Sequence, residues 1–320
     1  MRATAKAQPN IALIKYWGKR DVTRNLPAVG SISITLADLY TTMSVEFSAA
    51  TVADTLTVNG VRDEQMLPRV GQCLDAVAGA GRAPAQVTSS SNFPIAAGLA
   101  SSASAFAALV VAAAAACRND LSRQQLASLA GRASGSAARS LLGGFVELRN
   151  TNDDVVVSEL RDKDSWPLQV VVAITASGPK PVGSSEAMEL SRKTSPFYDR
   201  WVEQQDADLD EARAAIAARD FARLGAVAEH NCLKMHSVMW GSRPPMVYWN
   251  SATLACMEAI RDLQSDGVAT FFTIDAGPQL KAVCEPAVAE KVRDALALVP
   301  GVEDVLVTGL GSGARRVDGD

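Results

Sequence analysis

The chain has 320 residues, of which 48% are apolar and 21% are charged, and this balance is typical of globular proteins and disfavours a disordered chain. Its length predicts two domains or one large unit with two lobes. The net charge of −4 and the isoelectric point near 5.4 disfavour nucleic acid as a partner, so any cationic site for a phosphorylated ligand must be local.

The N-terminus and the cysteines indicate a cytoplasmic protein that does not enter a membrane. The first ten residues, MRATAKAQPN, hold no apolar segment of the kind that a secretory signal needs. The longest apolar run, Ala105–Cys117, is shorter than the roughly 20 residues that span a bilayer, and it predicts a buried helix. Five scattered cysteines without CxxC spacing predict reduced thiols in the cytoplasm.

A lysine interrupts the first apolar segment, Asn10–Lys19, which reads NIALIKYWGK. Lys15 is either a residue at a strand edge whose amine reaches solvent, or a cation held against an anionic substrate. Two segments follow in which apolar and polar residues alternate, at 31–36 and 42–47, and they predict half-buried strands. Residues 56–61 add a strand with an Asn-Gly hairpin signal, and a helix is expected from about 63 to 80.

A loop rich in Pro, Gly and Ser, Asn92–Ser104, leads directly into the alanine-rich helix. The free N–H groups of a helix start, with the positive end of the helix dipole behind them, suit a bound phosphate. Ser101, Ser102 and Ser104 add hydroxyl donors, and one of them could ligate magnesium, whereas the alternative is ordinary capping of the helix by serine. The loop matches neither GxGxxG after a strand nor the Walker motif, so neither nucleotide-binding class is predicted.

The next helix opens at a capping box, Ser122 with Gln125, and leads into the small-residue segment GRASGSAARSLLGGF. Ser134, Ser136 and Arg139 lie in this segment. Arg139 offers a planar fork to a carboxylate or phosphate, or else it is a surface residue on a tightly packed helix.

Strands predicted at 145–148, 155–160 and 169–176 carry the chain through its middle, and the domain boundary is placed at Pro167, between residues 1–167 and 168–320. The second half is expected to hold helices at 206–230 and 251–264, a separate segment at 231–240, strands at 269–274, 280–284 and 304–308, and a helix that opens at Pro286. His230 and His236 make neither a zinc motif nor part of a nucleophile elbow, so zinc and a Ser-His-Asp triad are disfavoured.

The stretch TFFTIDAGPQL, Thr270–Leu280, places Asp275 where a buried strand meets a turn. A carboxylate in that position is partly desolvated yet open to a ligand, which is the setting of a catalytic base. The alternative is an aspartate that accepts hydrogen bonds from the turn.

Four motifs in order resemble those of the mevalonate diphosphate decarboxylase family: NIALIKYWGKRD (Asn10–Asp21), NFPIAAGLASSAS (Asn92–Ser104), SGSAARSLLGGF (Ser134–Phe145) and TIDAGP (Thr273–Pro278). This family belongs to the superfamily of galactokinase, homoserine kinase, mevalonate kinase and phosphomevalonate kinase. The resemblance covers nearly the whole chain. It implies a two-lobed α+β fold, with an N-terminal domain like the second domain of ribosomal protein S5 and a ferredoxin-like C-terminal domain.

The resemblance also implies a reaction: the 3-hydroxyl of a phosphorylated mevalonate takes the γ-phosphoryl group of ATP, and phosphate and carbon dioxide then leave. It implies catalytic roles for Lys15, Ser102, Arg139 and Asp275, and magnesium at Ser102. The implied nucleotide-binding residues are Asn92, Gly98, Leu99, Ala100, Ser101, Ser102 and Ser104. The implied substrate-binding residues are Asn10, Tyr16, Lys19, Ser134, Ser136 and Arg139. Ser184 and Ser185 are expected in a loop that closes over the nucleotide, and a homodimer is expected.

The chain departs from the family's usual motifs at Ala133, Ala138 and Gln279. These changes put the length of the substrate in doubt, so a phosphomevalonate decarboxylase that forms isopentenyl phosphate is the alternative. Two further alternatives are a kinase that only phosphorylates the 3-hydroxyl and a relative that binds metabolites without catalysis. Both are disfavoured because Lys15, Ser102, Arg139 and Asp275 are all present.

Overall fold

The computed structural model describes residues 1–93, 101–178 and 182–317. Within them the strands are β1 (Arg2–Ala7), β2 (Asn10–Ile14), β3 (Lys19–Asp21), β4 (Leu26–Pro27), β5 (Ser31–Thr35), β6 (Thr41–Phe47), β7 (Thr55–Val58), β8 (Val61–Arg62), β9 (Ala85–Ser91), β10 (Phe145–Asn150), β11 (Val155–Arg161), β12 (Gln169–Ile174), β13 (Thr270–Ile274), β14 (Leu280–Cys284), β15 (Asp304–Gly309) and β16 (Arg315–Val317).

The described α-helices are α1 (Leu67–Ala78), α2 (Ser101–Ala116), α3 (Arg123–Ala133), α4 (Ser184–Thr194), α5 (Tyr198–Ala218), α6 (Phe221–Trp240), α7 (Ser251–Ser265) and α8 (Ala289–Ala297). Two 3₁₀ helices, η1 (Arg139–Leu141) and η2 (Pro286–Val288), lie before β10 and α8.

The first sheet has the strand order β16-β1-β6-β9-β7-β8, and its strands pair antiparallel except for the parallel pair β7 and β9. The predicted Asn-Gly hairpin joins β7 to β8, with both Asn59 and Gly60 at positive φ as a tight two-residue turn needs. Helices α1, α2 and α3 bury one face of this sheet in an alanine-rich core. The predicted capping box, Ser122 with Gln125, is confirmed at the start of α3.

The second sheet, β11-β10-β5-β2, is antiparallel and lies between the first sheet and the helices α5 and α6. The expectation that β5 is half-buried is wrong, because every residue of β5 is buried. The polar face of β5 is covered by the segment around η1: Arg139 donates to Ser31, and Thr35 donates to the carbonyl of Leu142. Alternation predicted the strand correctly, but it did not show that both faces are covered.

The third sheet, β13-β14-β12-β15, is antiparallel throughout. Helix α6 packs against β13, and α7 and α8 also pack against strands of this sheet. The predicted helix break near His230 is wrong. The chain turns instead at Arg219, which has a left-handed backbone, and Asp220 then caps α6 through its side chain. A loop is expected up to residue 185, but α4 already begins at Ser184. The helix expected at 63–80 is shorter at both ends, since α1 is Leu67–Ala78.

The chain changes sheets between β11 and β12, on either side of Pro167, and the boundary there stays a prediction. After β15 the chain returns to the first sheet, where β16 pairs with β1. No helix among the described residues combines the length and the apolar character needed to cross a bilayer. The five cysteines are free thiols.

Candidate functional site

A cavity of about 470 Å³ opens where the second sheet, the start of α2, η1 and the end of β13 meet. It collects residues from all four sequence motifs. The predicted residues that line it are Asn10, Lys15, Tyr16, Lys19, Ser102, Ser134, Ser136, Arg139, Asp275, Ser184 and Ser185.

Lys15 and Asp275 form an ion pair in the cavity, with Lys15 Nζ 2.7 Å from Asp275 Oδ1. Lys15 follows the last residue of β2 and Asp275 follows the last residue of β13, so two strand ends from different sheets meet here. The side chain of Lys15 is 1% exposed and that of Asp275 is 27% exposed. The reading of Lys15 as an edge residue in solvent is therefore wrong, whereas Asp275 is open to a ligand.

A second lysine contacts the same carboxylate: Lys281 Nζ, fully buried, lies 3.3 Å from Asp275 Oδ2. Burial by itself would raise the pKa of the Asp275 carboxyl, but the charges of Lys15 and Lys281 and their hydrogen bonds outweigh it. The pKa of Asp275 lies well below its ordinary value, so the group is ionised at neutral pH. It is a hydrogen-bond acceptor with a fixed charge and only a weak base.

The backbone of Lys15 is held by two buried amides on α5 and α6. Asn231 Oδ1 accepts from the Lys15 amide at 2.7 Å, and Gln205 Nε2 donates to the Lys15 carbonyl at 2.7 Å. Asn231 Nδ2 donates in turn to Gln205 Oε1 and to Asp208. The sheet ladder ends at Ile14, so this clamp replaces the strand partner that Lys15 does not have.

Arg139 begins η1 and is 3% exposed, so its reading as a surface residue is wrong. Its Nε donates to Asn10 Oδ1 at 3.2 Å, and one terminal nitrogen donates to Ser31. Asn10 is fixed by donating to the Ser136 carbonyl and to Ser140 Oγ. Burial lowers the pKa of Arg139 to about 10, so the guanidinium stays charged at neutral pH.

The predicted serines separate into two groups. Ser102, in the first turn of α2, lines the cavity with its Oγ 3.3 Å from Ser134 Oγ. Ser104 is fully buried and its hydroxyl pairs with Thr41 at 2.8 Å, so it supports α2 from below and does not face the cavity. Ser101 opens α2 and is half-buried.

Of the remaining predicted nucleotide residues, the structure describes Asn92. The side chain of Asn92 spans the turn after β5, accepting from the Tyr40 amide and donating to the Asp38 carbonyl, each at 2.7 Å. Gly98, Leu99 and Ala100 lie outside the described residues.

Two further basic side chains, Lys19 and Arg69, line the cavity. Lys19 Nζ donates to Ser185 Oγ at 3.0 Å, which ties the start of α4 to β3. Burial lowers the pKa of Lys19, and the charge of Arg69 lowers it further. Arg69 is held by two hydrogen bonds to the Ala133 carbonyl. The four basic side chains of the cavity outnumber its one carboxylate, on a chain that is acidic as a whole.

Tyr16 forms part of the wall of the cavity. Its ring lies against Gly135, where a Cβ would come within 2.5 Å of the ring. Burial raises the pKa of Tyr16, and the nearby charge of Arg139 only partly offsets this effect. The hydroxyl therefore stays protonated and can donate to an anion.

The donor set in this cavity fits magnesium bound together with a nucleotide. Among residues 1–93, 101–178 and 182–317 there is no cluster of three or more His, Cys, Asp or Glu side chains that could hold a metal. Magnesium at nucleotide sites takes most of its ligands from phosphates and water and few from protein. The Ser102 hydroxyl at the start of α2 is suited to be one such ligand.

Sequence reasoning missed Lys281, Arg69, Gln205 and Asn231. Lys281 interrupts the apolar strand LKAVC just as Lys15 interrupts NIALIK, so the same signal was available for both. Arg69 follows Pro68 in the first turn of α1, and no local pattern connects it to the serine segment. Gln205 and Asn231 look like ordinary polar positions on long helices.

Two family models match the chain. The diphosphomevalonate decarboxylase-like N-terminal domain matches residues 7–159, and the mevalonate 5-diphosphate decarboxylase C-terminal domain matches residues 170–307. Over 303 residues the chain is 34% identical to the diphosphomevalonate decarboxylase of Aspergillus fumigatus, covering 87% of this chain and 75% of the relative. It is 33% identical over 315 residues to that of Candida albicans, covering 92% and 87%.

Solved structures of similar proteins have the same fold. The mevalonate diphosphate decarboxylase of Staphylococcus aureus is 35% identical with a TM-score of 0.93, covering 99% of this chain and 98% of that one. A protein named MDDEF, solved with MVAPP, AMPPCP and magnesium, is 33% identical with a TM-score of 0.92, covering 100% and 99%. These matches confirm the two-lobed α+β fold and the resemblance that the four motifs carry.

Proposed function

The chain belongs to the diphosphomevalonate decarboxylase family, and from that premise we propose which of its residues perform the family's reaction. The reaction is the ATP-dependent decarboxylation of mevalonate 5-diphosphate to isopentenyl diphosphate, with ADP, phosphate and carbon dioxide as the other products. The observation that carries the assignment of roles is the contact between Lys15 and Asp275 in a cavity with an excess of basic side chains.

Asp275 accepts a hydrogen bond from the tertiary 3-hydroxyl and orients it toward the γ-phosphoryl group. Its lowered pKa makes it a poor base for a free alcohol. In a loose phosphoryl-transfer transition state, however, the alcohol becomes acidic only as its bond to phosphorus forms. A weakly basic carboxylate in a fixed position is then sufficient to receive the proton late in the step.

Arg139 and Lys15 hold the anionic groups nearest the reacting carbon. The Arg139 guanidinium is buried and fixed at two of its nitrogens, so its remaining N–H groups have a set direction toward the substrate carboxylate. When phosphate leaves with the electrons of its C–O bond, the electrons of the C–C bond to the carboxylate form the double bond, and carbon dioxide departs. Orientation of the carboxylate against the leaving phosphate is what these residues supply.

Two groups of side chains bind the phosphates of the two substrates. The terminal diphosphate of mevalonate diphosphate is bound by basic and hydroxyl side chains that line the cavity: Lys19, Arg69, Tyr16, Ser134 and Ser136. Ser101 and Ser102, with the free N–H groups at the start of α2, bind the triphosphate of ATP. Ser102 would hold magnesium, and the ion would neutralise phosphate charge. Ser184 and Ser185, at the start of α4 and beside Lys19, cover the phosphates.

A homodimer and a cytoplasmic location complete the proposal. The free thiols fit a reducing compartment. The dimer rests on the resemblance to the family, and size-exclusion chromatography with light scattering tests it directly.

The experiment for the function is a product assay. The purified chain is incubated with ATP and magnesium and with mevalonate, mevalonate 5-phosphate or mevalonate 5-diphosphate, and carbon dioxide, phosphate and ADP are recorded. We expect all three products in equal amounts from the diphosphate, and far less from the other two. Carbon dioxide from the monophosphate at an equal rate would favour the phosphomevalonate alternative, and ADP without carbon dioxide would favour the kinase.

A further inference from the structure

We propose that Lys281 is a second cation of the catalytic centre, which keeps Asp275 ionised and fixes its orientation while the anionic substrates are bound. The inference rests on the function proposed above. It adds a positioning residue to the Lys15–Asp275 pair, so that the working unit is a carboxylate held between two lysines.

The placement of Lys281 in its sheet is the first observation. It lies on the inner strand β14 and pairs across the ladder with Thr273, so the two side chains stand on the same face. Thr273 donates from that face to the carbonyl of Ala12 on β2, at 3.1 Å. Two residues along β14, Val283 is buried in the same core cluster as Ile11 and Ile14 of β2. Lys281 therefore points from the third sheet toward the strand that carries Lys15.

The contact itself is the second observation. Lys15 Nζ lies 2.7 Å from Asp275 Oδ1, and Lys281 Nζ lies 3.3 Å from Oδ2, so each carboxylate oxygen has its own lysine. A carboxylate held by one cation can still rotate about its Cβ–Cγ bond. With a cation on each oxygen the plane of the group is fixed, and with it the direction in which Asp275 accepts from the substrate hydroxyl.

The cost of the arrangement is the third observation. Lys281 is fully buried, with 0% of the residue exposed to solvent, and the other residues of its strand are also buried. A charged amine without water is strongly destabilised unless an opposite charge compensates it, and an apolar residue would suit this strand position better. The feature of the structure that accounts for a lysine at this position is its contact with the Asp275 carboxylate.

The substrates create the need for this second cation. ATP and mevalonate diphosphate bring several negative charges into the cavity, and nearby like charges raise the pKa of a carboxylate. Protonated Asp275 could not accept the hydrogen bond of the tertiary alcohol. Lys15 lines the cavity and contacts Asp275, so it faces the substrates as well, whereas Lys281 contacts Asp275 without being one of the residues that line the cavity.

Burial lowers the pKa of Lys281, and the charge of Asp275 offsets this effect only in part, whereas the titratable groups of α6 and η1 around the pair keep their charge state near neutral pH. On α6, burial lowers the pKa of His236 to about 3 and raises that of Cys232, so both are uncharged. On η1, Arg139 stays charged, with its pKa at about 10. If the enzyme loses activity on protonation between about pH 5 and 8, and if this loss depends on residue 281, the protein group that is protonated is therefore Asp275.

The test is the pH dependence of kcat for the parent enzyme, Lys281→Met and Lys281→Arg, with saturating ATP and mevalonate diphosphate. Methionine keeps the length of the side chain and removes the charge. We expect Lys281→Met to move the acidic limb of the kcat profile upward by about 1 to 3 pH units, the scale of one nearby opposite charge, so that the loss of kcat grows as the pH falls. KM for both substrates should change little. Lys281→Arg should retain the limb of the parent.

Lys291→Met is the matched control, because Lys291 is an exposed lysine on α8 and undergoes the same substitution. A Lys281→Met enzyme with the parental acidic limb would overturn the proposal, whether its kcat is intact or reduced, since a packing defect lowers kcat without moving that limb. If the Met variant does not fold, the carboxyl pKa of Asp275 is measured by ¹³C NMR in the parent and Lys281→Arg, with both substrates bound. A value at or above the ordinary aspartate pKa of about 3.9 in the parent would overturn the proposal, and a value below it would support it.

These outcomes are distinct from failure of the proposed function. A parent chain that releases no carbon dioxide refutes the function, whereas an active parent with an indifferent Lys281→Met variant refutes only the role of Lys281.

Discussion

Lys15 and Asn231 are separated by 216 positions in the chain and are joined by one buried hydrogen bond, 2.7 Å from the lysine amide to the asparagine Oδ1. Helix α6 thus fixes the backbone of the residue whose amine contacts Asp275.

Replacing Asn231 with leucine should therefore reduce turnover without direct loss of a substrate contact. The change removes the acceptor of the Lys15 amide and the donors to Gln205 and Asp208, and buried groups that lose their partners cost about 1–3 kcal/mol each. We expect kcat to fall about 10- to 100-fold, with KM for ATP within about 3-fold of the parent. Steady-state kinetics and thermal melts measure both effects. Asn152→Leu, at an exposed loop position, is the control, and parental kcat in Asn231→Leu would contradict the clamp.

Asp275→Asn should abolish most of the activity. The amide keeps the size of the side chain but has neither the charge nor the proton acceptor, so phosphoryl transfer and decarboxylation should fall together by about 100-fold or more. The melting temperature should also fall, because Lys15 and Lys281 are then buried without their shared counter-charge. Asp266→Asn, at an exposed helix end, controls for the substitution. A folded Asn variant with near-parental turnover would refute the role of Asp275.

Ser102→Ala and Ser104→Ala should differ although they are two residues apart. Ser102 lines the cavity, and its loss should lower kcat about 10- to 1,000-fold through a phosphate or magnesium contact. Ser104 is buried against Thr41, so its loss should cost about 1 kcal/mol of stability, with a smaller effect on kcat. Turnover at saturating ATP and urea unfolding separate the two effects. Equal losses of kcat in the two variants would show that both hydroxyls face the nucleotide.

Arg139→Lys should be impaired even though the charge is kept. Arg139 bonds Asn10 through Nε and Ser31 through a terminal nitrogen, and a single ammonium cannot satisfy both partners and the substrate. We expect kcat/KM for mevalonate diphosphate to fall at least about 10-fold. Arg132→Lys, on the exposed side of α3, is the matched control. A lysine variant that works like the parent would mean that the substrate carboxylate binds elsewhere.

Acid should destabilise the protein partly through His236. Burial lowers the pKa of His236 from 6.5 to about 3, so below pH 6.5 the unfolded chain binds a proton that the folded chain does not. The stability that depends on neutral His236 is complete above pH 6.5 and falls as the pH drops toward about 3. His236→Gln should flatten this part of the curve of unfolding free energy against pH. His230→Gln, at an exposed position on the same helix, should leave it unchanged, and two parallel curves would contradict the assignment.

Local patterns in the sequence predicted most of the elements and the chemical character of the site. The apolar run before Asp275, the capping box at Ser122 and the Asn59-Gly60 turn depend on neighbouring residues, and the structure has all three. Lys15 and Arg139 were singled out because a cation in an apolar or small-residue segment needs an explanation. Their burial decided between the two readings that the sequence left open.

What the sequence did not predict depends on contacts between distant segments. Lys281 reaches Asp275 across a strand pair, whereas Gln205 and Asn231 reach Lys15 from two separate helices. Ser104 has the composition of a phosphate loop but faces the sheet, because its position on α2 points it toward Thr41. These contacts depend on which faces of the helices and strands pack together in the fold. The periodicity of one segment shows which of its own faces is apolar, but not which other segment packs against that face.

The pairing of β1 with β16 has a consequence for biosynthesis. The register places Thr4 opposite Val317, so the first sheet gains this strand only after translation has reached residue 317. During synthesis the outer backbone groups of β1 stay open to other strands, and nascent chains on neighbouring ribosomes are the nearest source of such strands. Closing this sheet joins the two most distant parts of the described chain, and contacts of such long range form slowly. Shortening the chain before Arg315 therefore leaves β1 as an uncovered edge of the first sheet.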